Sequence, residues 1–369
     1  MFKILKKEYL ANNIWLMDIE APRVAKHCQP GQFVIVKTDE KGERIPLTVC
    51  DYDREQGSVT IVFQTVGAST TEMAKYEVGE SFMDFVGPLG CASELIKMPL
   101  DELKKEKILF VCGGVGTAPV YPQVKWMKEH GVDVDVIIGA RTKDIIILEN
   151  EMREVAANLY IATDDGSYEF KGNGCDKIND LIGQGKEYTK VVAIGPMIMM
   201  KFVCKLTKEL GIPTIVSMNP IMVDGTGMCG ACRLKVGDEI KFACVDGPEF
   251  DGHLVDFDQA MLRQRMYKTE EGRAMLDKLD ELKPEKAMVS PYMNHHYVEA
   301  LLMCGKKDQA MDYMKYYWGG MINHGADTFW ELYNPENPAE SPYGSSIVNS
   351  YCHAWSCTPT YLLRKYFLK

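Results

Sequence analysis

Short runs rich in β-branched and aromatic residues fill the first hundred positions of the chain. They cover residues 2–10, 13–21, 32–39, 46–53 and 58–66. Turn-forming pairs, among them Pro30-Gly31 and Gln56-Gly57, separate the runs. Several short strands at this spacing predict an antiparallel β-barrel or sandwich domain over residues 1–100.

The pattern changes its period over residues 101–220. An apolar run at 107–112 leads into glycines, and residues 117–130 then have helical spacing, with Pro119 near the first turn. Strand-like and helix-like segments go on alternating up to residue 218. This alternation predicts an α/β domain with a parallel sheet and helices on both faces.

Two further regions follow the α/β domain. Residues 221–277 contain few regular elements and most of the clustered cysteines. Residues 278–285 have the composition of a linker, and residues 286–369 are rich in aromatic side chains at helical spacing. The expected chain is therefore multidomain, with a small lobe after the parallel sheet and an all-α tail.

Composition narrows the class of protein. The net charge of −10 argues against binding to nucleic acid or to anionic membranes, because both need a basic surface. The chain has no apolar run of membrane-spanning length, and its charged N-terminus is unlike a signal peptide. Twelve cysteines in 369 residues are too few for a disulfide scaffold, so we expect a reducing, cytoplasmic location.

Glycine turns mark one candidate site in the α/β domain. Gly113, Gly114, Gly116 and Thr117 follow the first strand, at a spacing that lacks the full dinucleotide-binding fingerprint. Taken alone, such a turn is equally well explained as a simple strand-to-helix connection. A second glycine turn, Gly195-Pro196-Met197, follows the fourth strand, and two such turns at the carboxyl ends of strands favour a dinucleotide crevice.

A weaker candidate site lies in the barrel. Arg44 precedes a strand that begins Ile45-Pro46-Leu47-Thr48, and a segment from Gly67 to Thr71 opens a helix. Exposed amides and hydroxyls at a helix start can hold a pyrophosphate. An ordinary helix cap and turn account for the same residues.

The strongest signal is a cysteine cluster interleaved with glycines. Asp224, Cys229 and Cys232 are followed twelve residues later by Cys244. The spacing is that of a [2Fe–2S] site in which aspartate replaces the first cysteine. A carboxylate is a harder ligand than a thiolate, so we expect it to alter the reduction potential. A zinc site and a chance grouping of cysteines remain alternatives.

In this combination and order, the three sites resemble those of a known family. The segments Pro-Gly-Gln-Phe at 30–33, Gly-Pro-Leu-Gly at 87–90 and Asp-Gly-Pro-Glu-Phe at 246–250 add to the resemblance. Residues 1–275 resemble the FAD- and NAD-binding electron-transfer subunits of the ferredoxin reductase superfamily. Because of the aspartate at position 224, the most similar branch is the alpha subunit of NADH-dependent reduced ferredoxin:NADP oxidoreductase, with the sulfide and dihydroorotate dehydrogenase subunits nearby.

The resemblance implies a specific set of cofactor contacts. The family commonly has an arginine that contacts the FAD pyrophosphate at position 45, whereas this chain has Arg44 one residue earlier. The implied flavin contacts are Arg44, Ile45, Pro46, Leu47, Thr48, Val62, Phe63, Gln64, Gly67, Ser69 and Thr70. The implied NAD contacts are Gly113, Gly114, Gly116, Thr117, Arg141, Gly195, Pro196 and Met197. The implied cluster ligands are Asp224, Cys229, Cys232 and Cys244.

The resemblance also implies an activity and a partner. Electrons would pass between NAD(H), FAD and the [2Fe–2S] cluster to a larger flavin and iron–sulfur subunit of a heterodimer, with ferredoxin as a further partner. Flavin-based bifurcation is the expected setting, and the subunits of dihydroorotate and sulfide dehydrogenases are the alternatives. Arg141 and Lys143 would suit the 2′-phosphate of NADP, but a solvated loop explains them too, and NAD is the expected nucleotide.

The tail resembles a different family. Residues 286–369 resemble the C-terminal helices of bacterial alpha-L-rhamnosidases, in which the glutamate of a Trp-Glu motif, here Glu331, serves as general base. Inverting hydrolysis needs a second carboxylate, which in that family lies on an earlier part of the barrel. We therefore expect no glycosidase activity from the tail. A glycoside hydrolase fragment and a zinc-stabilised interaction protein are the alternatives from other functional classes.

Overall fold

The computed structural model describes residues 2–40, 42–264, 290–303, 305–326, 328, 330, 332–338 and 358–367. The chain divides into two compact units, Met1–Gln264 and Arg265–Lys369. Within the described residues, no helix is both long enough and apolar enough to cross a membrane.

A seven-stranded antiparallel sheet opens the first unit, in the order β6-β1-β2-β5-β4-β3-β7. The strands are β1 (Phe2–Ala11), β2 (Ile14–Glu20), β3 (Phe33–Lys37), β4 (Ile45–Asp53), β5 (Ser58–Gln64), β6 (Ser81–Phe82) and β7 (Asp84–Leu89). The edge strands β6 and β7 follow each other in the chain, separated only by Met83, so the sheet nearly closes into a barrel. The predicted antiparallel barrel is confirmed.

Short helices complete this part of the chain. They are α1 (Pro22–His27), α2 (Ala68–Met73), α3 (Glu94–Lys97) and α4 (Leu100–Leu103). The strand pattern did not predict α1 or the short strands β6 and β7. A two-residue strand such as β6 is too short to show any periodicity.

A second seven-stranded sheet follows, in the order β11-β10-β9-β8-β12-β13-β16. Its strands are β8 (Ile108–Gly113), β9 (Val134–Ala140), β10 (Asn158–Thr163), β11 (Phe170–Lys171), β12 (Lys190–Ile194), β13 (Thr214–Ser217) and β16 (Glu249–Asp251). All neighbours are parallel except β13 and β16. The connecting helices are α5 (Thr117–Glu129), α6 (Glu149–Val155), α7 (Gly174–Gly183) and α8 (Met197–Glu209).

Helices cover both faces of this sheet, as the sequence predicted. Side chains alternate along a strand, so Phe110 packs with Val120 and Val124 of α5 on one face. Leu109 and Val111 pack on the other face, with residues of α7 and α8. The strand order reverses direction between β8 and β12, and in open α/β sheets the crevice at such a point binds ligands.

A small lobe completes the first unit. It contains a hairpin of β14 (Arg233–Val236) and β15 (Glu239–Phe242), then β16 and α9 (Phe257–Gln264). Cys232 and Cys244 belong to one apolar core together with Phe33 and Ile35 of the barrel and residues of the parallel sheet. The lobe is therefore packed against both larger parts of the unit.

The described residues of the second unit contain three helices. Its helices are α10 (Pro291–Met303), α11 (Lys307–Asn323) and α12 (Thr358–Tyr366). A core that includes Val298, Tyr317, Trp318 and Leu362 joins the three helices. The predicted all-α tail is confirmed at this level.

Candidate functional site

Two buried cysteines lie side by side in the small lobe. Cys232 and Cys244 are 1% and 2% exposed, and the Cys232 thiol donates a hydrogen bond to the Cys244 sulfur at 3.3 Å. Burial and the neighbouring thiol raise the pKa of Cys244 to about 12. A metal ion bound here would take the Cys244 sulfur as a thiolate, because a cysteine ligand must be deprotonated.

The other two predicted ligands lie on the loop before the hairpin. Cys229 is exposed, and its amide donates to the Asp224 carboxylate at 3.1 Å. The amides of Thr226 and Met228 donate at 3.1 and 2.9 Å, and the Thr226 hydroxyl donates as well. The hydroxyl is the main cause that lowers the pKa of Asp224 to about 2, helped by the amides. The carboxylate is therefore anionic at neutral pH and lies next to Cys229.

This loop depends on its glycines. Gly225 has φ of 77°, and a Cβ atom there would collide with the Cδ1 atom of Ile35 on β3. Only glycine allows both this backbone conformation and the close approach to the barrel. Gly227 and Gly230 also have positive φ. The loop therefore passes directly over the outer side of β3.

The donor set fits an iron–sulfur cluster. Two thiolates bound to one tetrahedral metal at about 2.3 Å lie about 3.8 Å apart. Cys232 and Cys244, at 3.3 Å, need to separate by only about half an ångström to reach that distance. An exposed thiol and an ionised carboxylate on one glycine-rich loop supply two more ligands. By its ligand types alone, the same set would accept zinc.

Strand β4, which carries the predicted flavin contacts, presents two different faces. Ile45 and Leu47 pack against the barrel core. Pro46 and Thr48 pair with Ile35 and Phe33, which lie outside that core, so alternation turns these two side chains outward. The outward face is therefore the one available to a flavin.

Arg44, just before β4, reaches the cluster loop. Its guanidinium donates to the carbonyl oxygens of Val223 and Asp224, each at 3.0 Å. The sequence suggested a pyrophosphate contact for Arg44 and gave no sign of this link, which joins residues 180 positions apart.

The remaining flavin candidates fall into two groups. Val62 and Phe63 are buried, Phe63 in the barrel core, while Gln64 is exposed. In the turn before α2, the Thr70 hydroxyl accepts from the Gly67 amide at 3.2 Å. The Ser69 hydroxyl donates to the Glu43 carboxylate. Gln64, Ser69 and the exposed amide-rich turn are thus the polar groups at this end of the barrel.

The two glycine turns meet at the switch point of the parallel sheet. A Cβ atom on Gly195 would lie 3.1 Å from the nitrogen of Gly113. One on Gly116 would collide with the Ile194 carbonyl oxygen and lie 2.8 Å from the Cα atom of Gly195. Gly114 opens a 3₁₀ turn, and the Thr117 hydroxyl closes that turn by donating to its carbonyl at 2.9 Å. Backbone lines this crevice, which allows a nucleotide to approach closely.

Side chains around the crevice differ from the sequence prediction at one position. Met197 is 3% exposed and packs in the core below the sheet, so its side chain does not line the crevice. Met199, two residues later, packs instead against both glycine turns. A Cβ atom added to Gly113 would lie 2.5 Å from the Met199 sulfur, and one added to Gly195 would lie 3.0 Å from its Cε atom. Pro196 and Arg141 are exposed.

The three short motifs at 30–33, 87–90 and 246–250 converge on one junction. The Gln32 side chain donates to the Gly90 carbonyl at 3.0 Å, and the Cys91 amide donates to the Gly247 carbonyl at 2.6 Å. The Glu249 carboxylate accepts from the Ser93 hydroxyl and from the Gln123 amide, both at 2.8 Å. Burial raises the pKa of Glu249. Barrel, parallel sheet and small lobe are thus held together through one carboxylate.

Some predicted positions lie outside the described residues. These are Glu331, the candidate general base, and the predicted linker at 278–285.

Two family models match the first unit. Residues 110–205 match the oxidoreductase NAD-binding domain. Residues 219–256 match the iron–sulfur cluster binding domain of dihydroorotate dehydrogenase B, and this span contains all four predicted ligands. The match favours iron–sulfur over zinc at this site.

Three similar proteins each cover about three quarters of the chain. An uncharacterized Clostridium beijerinckii protein is 65% identical over 278 residues, 75% of this chain and 94% of that protein. A Thermotoga maritima homologue of the dihydroorotate dehydrogenase B (NAD(+)) electron transfer subunit is 44% identical over 73% of this chain and 92% of its own length. A chain in the structure of an NADH-dependent reduced ferredoxin-NADP oxidoreductase is 42% identical, with a TM-score of 0.68, over 76% of this chain and 98% of that one.

Proposed function

Because the chain belongs to the family of dihydroorotate dehydrogenase B electron transfer subunits, we propose that it passes electrons from NADH to a larger partner subunit of an NADH-dependent ferredoxin:NADP oxidoreductase. It is an oxidoreductase with FAD, NAD(H) and a [2Fe–2S] cluster as its cofactors. The observation that carries this choice of branch is Asp224, an ionised carboxylate at the first ligand position, beside Cys229.

The residues of the chain bind and orient the cofactors in this proposal. Gly113, Gly116 and Gly195 let the nucleotide approach the backbone at the switch point. Pro46 and Thr48 face the flavin from the outer side of β4. Arg141 stands beside the nucleotide site as an exposed cation. Bound FAD would supply the redox chemistry that links two-electron hydride transfer from NADH to one-electron transfer through a [2Fe–2S] centre.

The ligand set of the proposed cluster is Asp224, Cys229, Cys232 and Cys244. The buried Cys232 and Cys244 would hold the cluster from the core of the lobe, and Asp224 and the exposed Cys229 would hold it from the loop. An exposed ligand loop suits single-electron transfer to a docked partner. A reducing cytoplasm, the proposed location, keeps these thiols free to bind iron.

Purified holoprotein tests the core of the proposal. We expect stoichiometric flavin and two irons per chain, and NADH should bleach the visible absorption without oxygen. Protein with stoichiometric zinc and no iron would contradict the proposed cluster.

Co-purification with the native partner tests the branch. We expect a large flavoprotein with iron–sulfur clusters that binds NADPH, and electron flow to ferredoxin in the complex. Recovery of a dihydroorotate dehydrogenase catalytic subunit would place the chain in that system instead. Sulfide-dependent reduction of the complex would favour the sulfide dehydrogenase alternative.

The helical tail has a separate proposal. Residues 286–369 constitute a rhamnosidase-like helical fragment without glycosidase activity, after a linker at 278–285. The full chain should not hydrolyse an aryl rhamnoside. Hydrolysis that disappears in Glu331→Gln would overturn this proposal.

A further inference from the structure

From the hydrogen bonds of Arg44 we infer that this residue is a positioning residue for the iron–sulfur cluster: it joins the flavin-side strand to the ligand loop and places a positive charge beside the cluster. The inference rests on the proposed function, because it presupposes the cluster. It concerns a residue whose sequence position suggested contact with the FAD pyrophosphate.

Strand geometry explains why Arg44 points to the loop. In the β3–β4 pairing, Ile45 lies opposite Val36 and faces the barrel core, while Pro46 lies opposite Ile35 on the outer face. Side chains alternate, so Arg44 shares the outer face with Pro46. Ile35 on that face touches the loop at Gly225. An arginine one residue later would face the core side instead.

The contacts are specific for a guanidinium. Its Nε atom donates to the Val223 carbonyl and one terminal nitrogen donates to the Asp224 carbonyl, each at 3.0 Å. Two consecutive carbonyls therefore engage one planar fork, a geometry that a lysine ammonium does not reproduce. The second of these carbonyls belongs to the residue whose carboxylate is a proposed ligand. Arg44 thus fixes the backbone from which that ligand extends.

The charge of Arg44 is available to act on the cluster. None of the ion pairs found among the described residues includes Arg44, whose charged group meets only neutral carbonyls in the hydrogen bonds above. Reduction adds a negative charge to an iron–sulfur cluster, and a nearby cation stabilises that charge. Arg44 should therefore raise the reduction potential of the cluster.

The test compares Arg44→Gln and Arg44→Lys with wild-type holoprotein that has first been shown to contain flavin and iron. In Arg44→Gln we expect unchanged flavin content and an altered EPR signal of the reduced cluster. At a fixed poise, the ratio of reduced to oxidised cluster should fall about three- to tenfold. Because lysine retains the positive charge, the cluster potential of Arg44→Lys should lie closer to wild type than that of Arg44→Gln. The ligand loop should be altered in both variants, because lysine does not reproduce the two hydrogen bonds. Hydrogen–deuterium exchange of the 223–230 amides should be faster in both variants.

Arg54→Gln is the matched control. Arg54 also lies next to β4 and donates to a carbonyl, that of Cys28 at 3.0 Å, but in a different loop. This variant should leave cluster potential, EPR signal and exchange of the 223–230 amides unchanged.

Two outcomes would overturn the inference. Loss of flavin in Arg44→Gln with an unchanged cluster signal would assign Arg44 to the pyrophosphate. If the cluster potential, the EPR signal and the amide exchange of Arg44→Gln all equal those of wild type, Arg44 has no role at the ligand loop. If Arg44→Gln does not fold, the same readouts on Arg44→Lys decide through loop exchange and EPR. A wild-type protein without iron would instead refute the proposed function.

Discussion

One carboxylate in place of a thiol distinguishes the candidate cluster loop at the scale of single residues. Asp224 accepts hydrogen bonds from the amides of Thr226, Met228 and Cys229 and from the Thr226 hydroxyl. These donors disperse its negative charge and fix its direction. The ligand is therefore specified both by its chemistry and by the loop around it.

Replacing Asp224 by cysteine should preserve the cluster and change its electronic properties. A thiolate is softer than a carboxylate and cannot accept the same set of strong hydrogen bonds. We expect an EPR spectrum and a midpoint potential that differ from wild type in potentiometric titration. Asp238→Cys, in an exposed hairpin turn of the same lobe, is the control. An unchanged spectrum and potential in Asp224→Cys would show that Asp224 is not a ligand.

Glu249 predicts a pH dependence of stability. Burial raises its pKa above the ordinary 4.5, so the folded chain keeps this proton to higher pH than the unfolded chain does. Its contribution to the free energy of unfolding is therefore fully present below about pH 4.5 and is lost as the pH rises through the folded-state pKa.

Glu249→Gln should remove this loss of unfolding free energy with rising pH. Relative to wild type, the variant should become more stable as the pH rises from 4.5, which urea unfolding at a series of pH values measures. A parallel pH dependence in Glu249→Gln and wild type would contradict the assignment.

At the scale of elements, the connection from β8 to α5 is the most constrained part of the nucleotide crevice. Gly116 lies against the end of β12, where a methyl group would meet the Ile194 carbonyl oxygen and the Cα atom of Gly195. The two glycine turns are therefore one structure, although they lie about eighty residues apart in the sequence.

Gly116→Ala should push the two glycine turns apart, because the added methyl group collides with the Ile194 carbonyl oxygen. We expect a loss of about 1–3 kcal/mol in the free energy of unfolding, which is typical of overpacking, and at least tenfold weaker NADH binding. Urea unfolding and NADH titration of the flavin absorption measure the two effects. Gly183→Ala at the end of α7 is the control, because a Cβ atom there meets nothing within 4 Å. Equal NADH affinity in Gly116→Ala and wild type would contradict the assigned crevice.

At the scale of the whole molecule, both matching family models lie within the first compact unit, which ends at Gln264. The relatives align with about three quarters of the chain. All predicted cofactor ligands lie within that unit. We therefore expect electron transfer to need no residue of the second unit.

A chain ending at residue 285 should retain the cofactors. Flavin and iron per chain should equal those of the full-length protein, and the rate of bleaching by NADH should stay within about twofold, since every proposed contact is kept. Absorption spectra and iron analysis provide the comparison. Loss of either cofactor on truncation would give the tail a role in the first unit.

Much of the fold was predictable because its information is local. Apolar runs and their periods depend only on neighbouring residues, so the main strands and helices of both sheets matched the predictions. Short elements such as β6, β11 and α1 were missed, since two to six residues carry little periodicity. The proposed cluster ligands are also close in the sequence, because Asp224, Cys229 and Cys232 lie within nine positions and Cys244 follows twelve residues later.

The sequence by itself therefore determined the order and type of the elements, the glycine turns and the chemistry of the ligand loop. Tertiary structure alone decided which side chains meet: Arg44 with the loop, Met199 rather than Met197 on the crevice, and Glu249 with Ser93 and Gln123. The contacts of Arg44 and Glu249 join residues 126 to 180 positions apart, whereas the choice between Met197 and Met199 depends on which face of α8 each residue occupies. They depend on strand pairing and on the face that each residue occupies, which local patterns do not encode.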